Sequence, residues 1–432
     1  MTKFKSLGLM PEILKQLEIK GYTTPTPIQN EAIPHLLKGH DLLGIAQTGT
    51  GKTAAFSLPI LNKIGQHPVK IKPKHVRVLI LTPTRELASQ IEMNIKEYGK
   101  SLGVKTRVVF GGVGKTPQVD AIKKGLDFLI ATPGRLLDLM SEGHINYSQL
   151  DTLILDEADT MLDMGFLKDV QRIIEKIPKT RQTLLFSATM PKDIGTLAET
   201  ILKNPKKVEV TPESTVIEKI EQEVYFVDKA DKLTLLLMLL ESNKLESVLI
   251  FCKTKFGANR VAEQLEKLKI PSAAIHSNKS QNAREKALES FRKREIRVLV
   301  ATDIAARGID VKEISHVINF NLPEDPSNYV HRIGRTARAG KEGKTISLCI
   351  IGEYSLLKNI EKVIKQEIPK IIDHPYHKNF TAEALQEFSK TKAASKTNGR
   401  SNRGRPRPAS KSSPKKNKSA KSSSSKRKVN RR

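Results

Sequence analysis

Leu42-Leu43-Gly44-Ile45-Ala46-Gln47-Thr48-Gly49-Thr50-Gly51-Lys52-Thr53 is the stretch that decides the fold. The aliphatic run over residues 42–46 reads as a short buried strand. It gives way at once to a Gly-rich loop that opens a helix, which is the setting a phosphate-binding loop requires. Its glycines let successive N–H groups turn toward one centre, and the helix N-terminus adds partial positive charge there. Residues 46–53 are therefore expected to cradle the phosphates of a nucleotide. Lys52 would reach the β and γ phosphates, and the Thr53 hydroxyl would coordinate Mg2+. Ala46 stands where the strict pattern has Gly.

Outward from this loop, short apolar runs alternate with helical patterns. Residues 76–81, 107–110, 128–131, 152–155 and 183–186 read as further strands, with helices over 88–98 and 168–177. The rhythm then restarts. A second strand set covers 223–227, 248–252, 273–276, 297–301, 316–320 and 345–350, with helices over 231–240, 255–268, 281–292 and 328–335. Strand–helix alternation implies βαβ units and parallel sheets. The fold class is thus α/β, with two tandem domains. Residues 1–209 form the first and 220–370 the second. The polar segment 210–219 joins them, and 371–390 forms an extension.

Charge is concentrated at one end. The 432 residues carry 74 Lys and Arg against 46 Asp and Glu, a formal net charge of +28. Residues 391–432 hold 16 of the basic residues and no acidic ones. Rich in Ser and without an aromatic, this tail cannot bury enough apolar surface to offset its ordering entropy and is expected to be disordered. It reads as an electrostatic nucleic-acid tether, a solubility element or a localisation signal. The overall excess favours nucleic acid over a membrane surface as partner. Two cysteines, Cys252 and Cys349, exclude a disulfide scaffold or a four-cysteine zinc site. They read as buried thiols. No apolar run approaches the roughly 20 residues of a membrane span, and the first twelve residues lack the apolar core of a secretory signal. A cytoplasmic protein is expected.

Asp156-Glu157-Ala158-Asp159 follows the strand at 152–155. A carboxylate at the C-terminal end of such a strand faces the ligand crevice of an open α/β sheet. Asp156 is then the Mg2+ carboxylate, directly or through water, and Glu157 the group that polarises the attacking water.

These two elements are part of a longer series, and the chain resembles the DEAD-box ATP-dependent RNA helicases, most closely the bacterial RhlE-type subgroup, over roughly residues 4–361. Gly21-Tyr22-Thr23-Thr24-Pro25-Thr26-Pro27-Ile28-Gln29 resembles the family's Q motif. Pro83-Thr84-Arg85-Glu86-Leu87-Ala88, Gly111-Gly112 and Thr132-Pro133-Gly134-Arg135 resemble its first-domain RNA motifs. Ser187-Ala188-Thr189 resembles the coupling motif. Ala301-Thr302-Asp303 through Asp310, and His331 through Arg338, resemble the last two. One departure is Ser277, where relatives usually have Gly; Ser fits if φ there is negative.

The resemblance implies two RecA-like domains with ATP in the cleft between them. Tyr22, Thr24 and Gln29 would hold adenine, since a Gln amide both donates and accepts; for Tyr22, plain core packing is the alternative. Asp310 would meet the ribose. Lys52, Asp156, Glu157, Arg335 and Arg338 would carry hydrolysis, the two arginines as fingers on the γ-phosphate. Ser187, Thr189 and Asp159 would couple hydrolysis to domain closure. Arg85, Gly112, Thr132, Arg135, Arg284 and Thr302 would contact the RNA backbone, with little sequence specificity; Arg284 reads equally as a solvated helix charge. Local, non-processive unwinding by a monomer follows, with ribosomal and RNA-decay assemblies as compatible settings. A DNA translocase and an ATP-independent RNA chaperone are the competing readings.

Overall fold

Val76-Arg77-Val78-Leu79-Ile80-Leu81 is buried along its whole length, as a parallel strand must be when helices cover both faces. In the computed structural model, which describes residues 3–47, 49–210, 220–242, 245–306, 314–336, 343–381 and 383–386, it belongs to a seven-stranded sheet. The members are β1 (Leu42–Ile45), β2 (Val76–Leu81), β3 (Thr106–Val109), β4 (Leu126–Ala131), β5 (Thr152–Leu155), β6 (Gln182–Ser187) and β7 (Lys206–Glu209). Their order is β3-β4-β2-β5-β6-β1-β7, and every neighbouring pair is parallel.

Side chains alternate across this sheet with period two. Val78, Ile80, Phe128, Ile130, Ile154 and Phe186 enter the core on one face. Leu79, Leu81, Leu129, Leu153 and Leu155 enter the core on the other. At Gly44 a Cβ would overlap the Phe186 ring, so β1 and β6 can pack there only because position 44 has no side chain.

A second sheet repeats the plan. It contains β8 (Ile220–Phe226), β9 (Val248–Phe251), β10 (Ser272–Ile275), β11 (Val298–Ala301), β12 (His316–Asn319), β13 (Gly343–Cys349) and β14 (Lys370–Ile371). Its order, β10-β11-β9-β12-β13-β8-β14, is that of the first sheet advanced by seven strands. Two copies of one topology therefore stand in tandem, and residues 1–379 form one compact unit. Of residues 380–432, the second unit, the structure describes 380–381 and 383–386.

Several boundaries differ from the sequence expectation. The helix expected from residue 88 begins at Arg85, because the Thr84 hydroxyl accepts from the Leu87 N–H and caps it. The helix expected over 328–335 is Pro326–Ile333, with Asp325 as its cap and proline at its first position. Edge strand β7 carries no apolar run, Val208 being its one buried residue, so pattern alone does not reveal it. The second sheet also continues past residue 370, through β14 and a bridge between Val227 and His377. Most of the expected linker, residues 211–219, and the whole basic tail lie outside the described residues.

Candidate functional site

In the first sheet β5, β6 and β1 are neighbours, and all strands run the same way. The loops that leave their C-terminal ends therefore meet at one edge, the ligand-binding edge of an open parallel sheet. These loops carry the phosphate loop after β1, the Asp156 group after β5 and Ser187-Ala188-Thr189 at the end of β6. The other half of the same edge, β3-β4-β2, carries Gly112, Thr132 and Arg85.

The phosphate loop is tied into the sheet by the Ala46 N–H, which donates to the Ser187 carbonyl at 3.0 Å. Gly51 sits at φ 97° as the cap of the helix Lys52–Gln66, a conformation that only glycine adopts at little cost. A Cβ on Gly51 would also strike the Gln29 amide. Lys52 is buried, and its ammonium donates to the Ala46 carbonyl at 3.0 Å. Thr50 Oγ1 donates to the Gln47 carbonyl at 2.8 Å, and Thr53 is half-buried on the first helical turn. Thr48 lies outside the described residues.

Gln29 is buried. Its Nε2 donates to the Gly51 carbonyl at 3.1 Å and its Oε1 accepts from the Thr26 N–H at 3.0 Å. One N–H and one lone pair of the amide remain for adenine. Tyr22 is half-buried against the first core, 6.5 Å from the Tyr98 ring, so packing accounts for part of its surface. Thr24 is exposed nearby in the chain.

The acidic group is held in an unusual backbone. Glu157 adopts φ 55° and ψ 55°, a left-handed conformation costing a non-glycine residue about 1 kcal/mol or more and found mostly at functional sites. Its N–H donates to Asp156 Oδ1 at 3.0 Å. Asp159 Oδ2 accepts from the Ala188 and Thr189 N–H groups and from Thr189 Oγ1, at 3.1, 2.8 and 3.0 Å. The Asp159 N–H in turn donates to Ser187 Oγ at 3.2 Å. Asp159, Ser187 and Thr189 thus form one network joining β5 to β6.

Burial, opposed by Lys52 and reinforced by Glu157, pushes the Asp156 carboxyl up to about 7. The ordinary carboxyl value is 3.8, so between these pH values the unfolded chain binds fewer protons than the folded one. Stability of the ligand-free protein should therefore fall as pH rises from about 4 to about 7. Asp156→Asn removes that titration. Relative to wild type, the variant should gain at least about 1 kcal/mol between pH 5 and pH 8, since one pK unit is about 1.4 kcal/mol. Parallel denaturation profiles for the two proteins would exclude Asp156 as the titrating group.

Arginines dominate the β3-β4-β2 half. Burial and then the Arg284 charge push the Arg85 pKa down, with Arg135 acting in the same sense and Glu86 against. Arg85 also packs on Gly112, whose φ is 78° and where a Cβ would overlap the guanidinium. Arg135 donates to the Val113 carbonyl at 3.3 Å, and Thr132 opens the helix Pro133–Ser141. Arg284 arrives from the second domain, on the helix Gln281–Arg292 that follows β10. It is buried, with its guanidinium 2.9 Å from Glu86 Oε1, so it is not a solvated helix charge. Removing one member of such a pair typically costs about 3–5 kcal/mol locally. Thr302, at the end of β11, is half-buried.

In the second domain Arg332 donates to both carboxylate oxygens of Asp303, at 2.6 and 2.7 Å, and to Asn319 Oδ1 and the Asn321 carbonyl. Its guanidinium lies 4.9 Å from the Phe251 ring centre. Arg332 is therefore a fixed structural cation. Arg335 is buried beyond the helix end and lines a recess with Asp303, His331 and Asn328. Because that helix stops at Ile333, Arg332 and Arg335 do not share one continuous helical face. Asp310 and Arg338 lie outside the described residues. Ser277 is not among the positive-φ residues, so it fits its place without strain. Glu86, Gln281, whose Nε2 lies 3.5 Å from Glu86 Oε1, and the Arg332–Asp303 pair have no local sequence signal, because their partners are distant in the chain.

Residues 26–197 match the family model described as DEAD/DEAH box helicase, and residues 229–340 match the helicase conserved C-terminal domain. The chain is 40% identical over 371 residues to the DEAD-box ATP-dependent RNA helicase CshA of Bacillus cereus, covering 86% of this chain and 70% of that one. To the DEAD-box ATP-dependent RNA helicase RhpA of Helicobacter pylori it is 42% identical, covering 84% and 73%. Among solved structures it is similar to S. cerevisiae Dbp5 bound to RNA and ADP BeF3, with TM-score 0.76, 29% identity and coverage of 92% and 99%. Mss116 bound to ssRNA and UDP-BeF gives TM-score 0.77, 28% identity and coverage of 90% and 82%.

Proposed function

The chain belongs to the DEAD/DEAH box helicase family and is an ATP-dependent RNA helicase, and on that premise we propose how its residues divide the work. The first domain binds ATP through Gln29, the phosphate loop and Lys52. Glu157 takes the proton of the attacking water. The second domain adds Arg335, with Arg338 and Asp310, only when the cleft is closed. RNA backbone held jointly by Arg85, Arg135 and Arg284 favours that closed state. Hydrolysis thereby depends on RNA, and the bound strand is remodelled locally. The observation that carries this reading is the meeting of Arg284 with Glu86 across the two domains, beside Arg85.

Asp156 and Thr53 suit Mg2+, since a carboxyl raised by burial, with Glu157 and Asp159 acting in the same sense, is the place where a dication is best accommodated. Held by Asp156 and Thr53, the ion would supply positive charge to offset that of the ATP phosphates. Within the family, the motif series favours the RhlE-type subgroup. Action as a cytoplasmic monomer on RNA in ribosomal or decay assemblies rests on composition and family likeness. No helix among the described residues is long and apolar enough to cross a membrane. Poly(rU) should stimulate ATPase activity and oligo(dT) should not; equal stimulation would favour the DNA-translocase reading.

The tail supplies affinity rather than catalysis in this scheme. Removing residues 392–432 deletes 16 positive charges and none of the motif residues. ATPase at saturating RNA should change little, whereas RNA affinity should fall and its salt dependence flatten. Each phosphate contact on a single strand contributes a slope of about −0.7 in log K against log salt, so four tail contacts would change it by about 3. An unchanged slope in a salt titration would reduce the tail to a solubility element.

A further inference from the structure

The opposite end of the first sheet is also basic. Residues 176–181, Lys-Ile-Pro-Lys-Thr-Arg, lead into β6, and residues 203–207, Lys-Asn-Pro-Lys-Lys, lead into β7; together they hold six basic and no acidic side chains. The two segments touch, Lys203 Nζ donating to the Lys179 carbonyl at 2.8 Å. Beside them opens a cleft of about 470 Å3 lined by Lys63, Ser148, Gln149, Thr180, Arg181 and Lys203.

One carboxylate, Asp151, lines the cleft and another, Asp41, lies near it, and both are already engaged. Asp41 is buried and accepts from the Thr183 and Lys203 backbone N–H groups at 2.8 and 2.7 Å. Asp151 accepts from Arg77 Nε at 3.0 Å and lies 3.6 Å from Lys63. Arg181 is half-buried, and its Nε is a buried donor without a protein acceptor. Past the cleft, burial lowers the His35 pKa, and Lys206, His40 and Lys38 act in the same sense against Glu31.

Hydroxyl, amide, guanidinium and ammonium groups are the set that binds phosphate oxygens. No aromatic ring lines the cleft, so bases find no stacking platform there. A row of cations running beyond the cleft matches a polymer backbone better than one small phosphate. We propose that this end of the first domain is a second RNA-backbone track, which holds a flank of the RNA engaged at the strand C-terminal ends. The proposal rests on the RNA-helicase reading. Strands of four to six residues set the two ends of the sheet about 13–20 Å apart at about 3.3 Å per residue. A long RNA can therefore touch both faces, and a short oligomer that fills the first cannot.

The test compares the full chain with the triple variant Lys179→Glu, Lys203→Glu, Lys206→Glu, on a short oligoribonucleotide and on a long RNA. For the long RNA, three lost contacts should lower the salt slope by about 2 and weaken binding at low salt at least about tenfold. Short-RNA affinity and short-RNA-stimulated ATPase should match wild type. In the wild type, photo-crosslinks from the long RNA should map to residues 176–181 and 203–207. An unchanged long-RNA slope, or crosslinks absent from both segments, overturns the track. So does pyrophosphate that saturates the cleft without displacing long RNA, which would assign it to a small phosphate ligand. Wild-type ATPase stimulated by the short oligomer tests the helicase reading separately, and it would stand if the track alone failed.

Discussion

Replacing Glu157 by Gln is expected to lower ATP turnover by about 10^2- to 10^4-fold, the usual contribution of a positioned general base, while ATP and RNA still bind. An amide of the same shape cannot accept a proton from water. The change is nearly isosteric, so the left-handed backbone at Glu157 and the adjoining Asp159–Thr189 network should survive it. RNA release should slow, because the variant accumulates in the closed, ATP-bound state that hydrolysis normally ends. Single-turnover hydrolysis and RNA dissociation rates are the measurements. Turnover within a few fold of wild type would remove Glu157 from the chemistry.

Arg335→Ala should lower kcat by about 10^3-fold or more, the scale on which an arginine finger acts, with nucleotide affinity nearly unchanged. The difference arises because the phosphate loop and Gln29 belong to the first domain, whereas Arg335 belongs to the second. On the proposed division of work, its guanidinium would meet the γ-phosphate only on closure, as charge develops there. Arg335→Lys should recover little of the loss, since an ammonium lacks the planar fork of donors. A fall in ATP affinity equal to the fall in kcat would show a ground-state contact instead. Arg332→Ala offers a contrast: it leaves Asp303 without its bidentate partner, so its first effect should be on the stability of the second domain.

Much of the site could be read from the chain because its elements are local. A strand that runs into Gly-Thr-Gly-Lys-Thr specifies its own geometry, since the backbone N–H groups, the helix start and Lys52 lie within a few residues of one another. The same holds for Asp156 and Glu157 at the end of β5. Exact register was less legible where a cap, rather than a hydrophobic pattern, decides it, as Thr84 does for the helix carrying Arg85. The exposed edge strand β7 left no apolar signature because one neighbour, β1, is enough to hold it.

Arg284 marks the limit of sequence reading. Its spacing on a helix is equally consistent with a solvated charge and an RNA contact, and only the fold places it 2.9 Å from Glu86, almost two hundred residues away in the chain. Arg332 and Arg335 look equivalent in sequence, yet one is locked on Asp303 and the other lies past the helix end. Two parallel α/β domains, the Gly-rich loop after β1 and the carboxylates after β5 follow from the chain alone, because hydrophobic period and loop chemistry act over a few residues. Which arginine meets which carboxylate, and the gathering of the basic segments at the N-terminal ends of β6 and β7 into one face, depend on the folded chain. Those pairings depend on strand order, and strand order is set by packing between segments far apart in the chain.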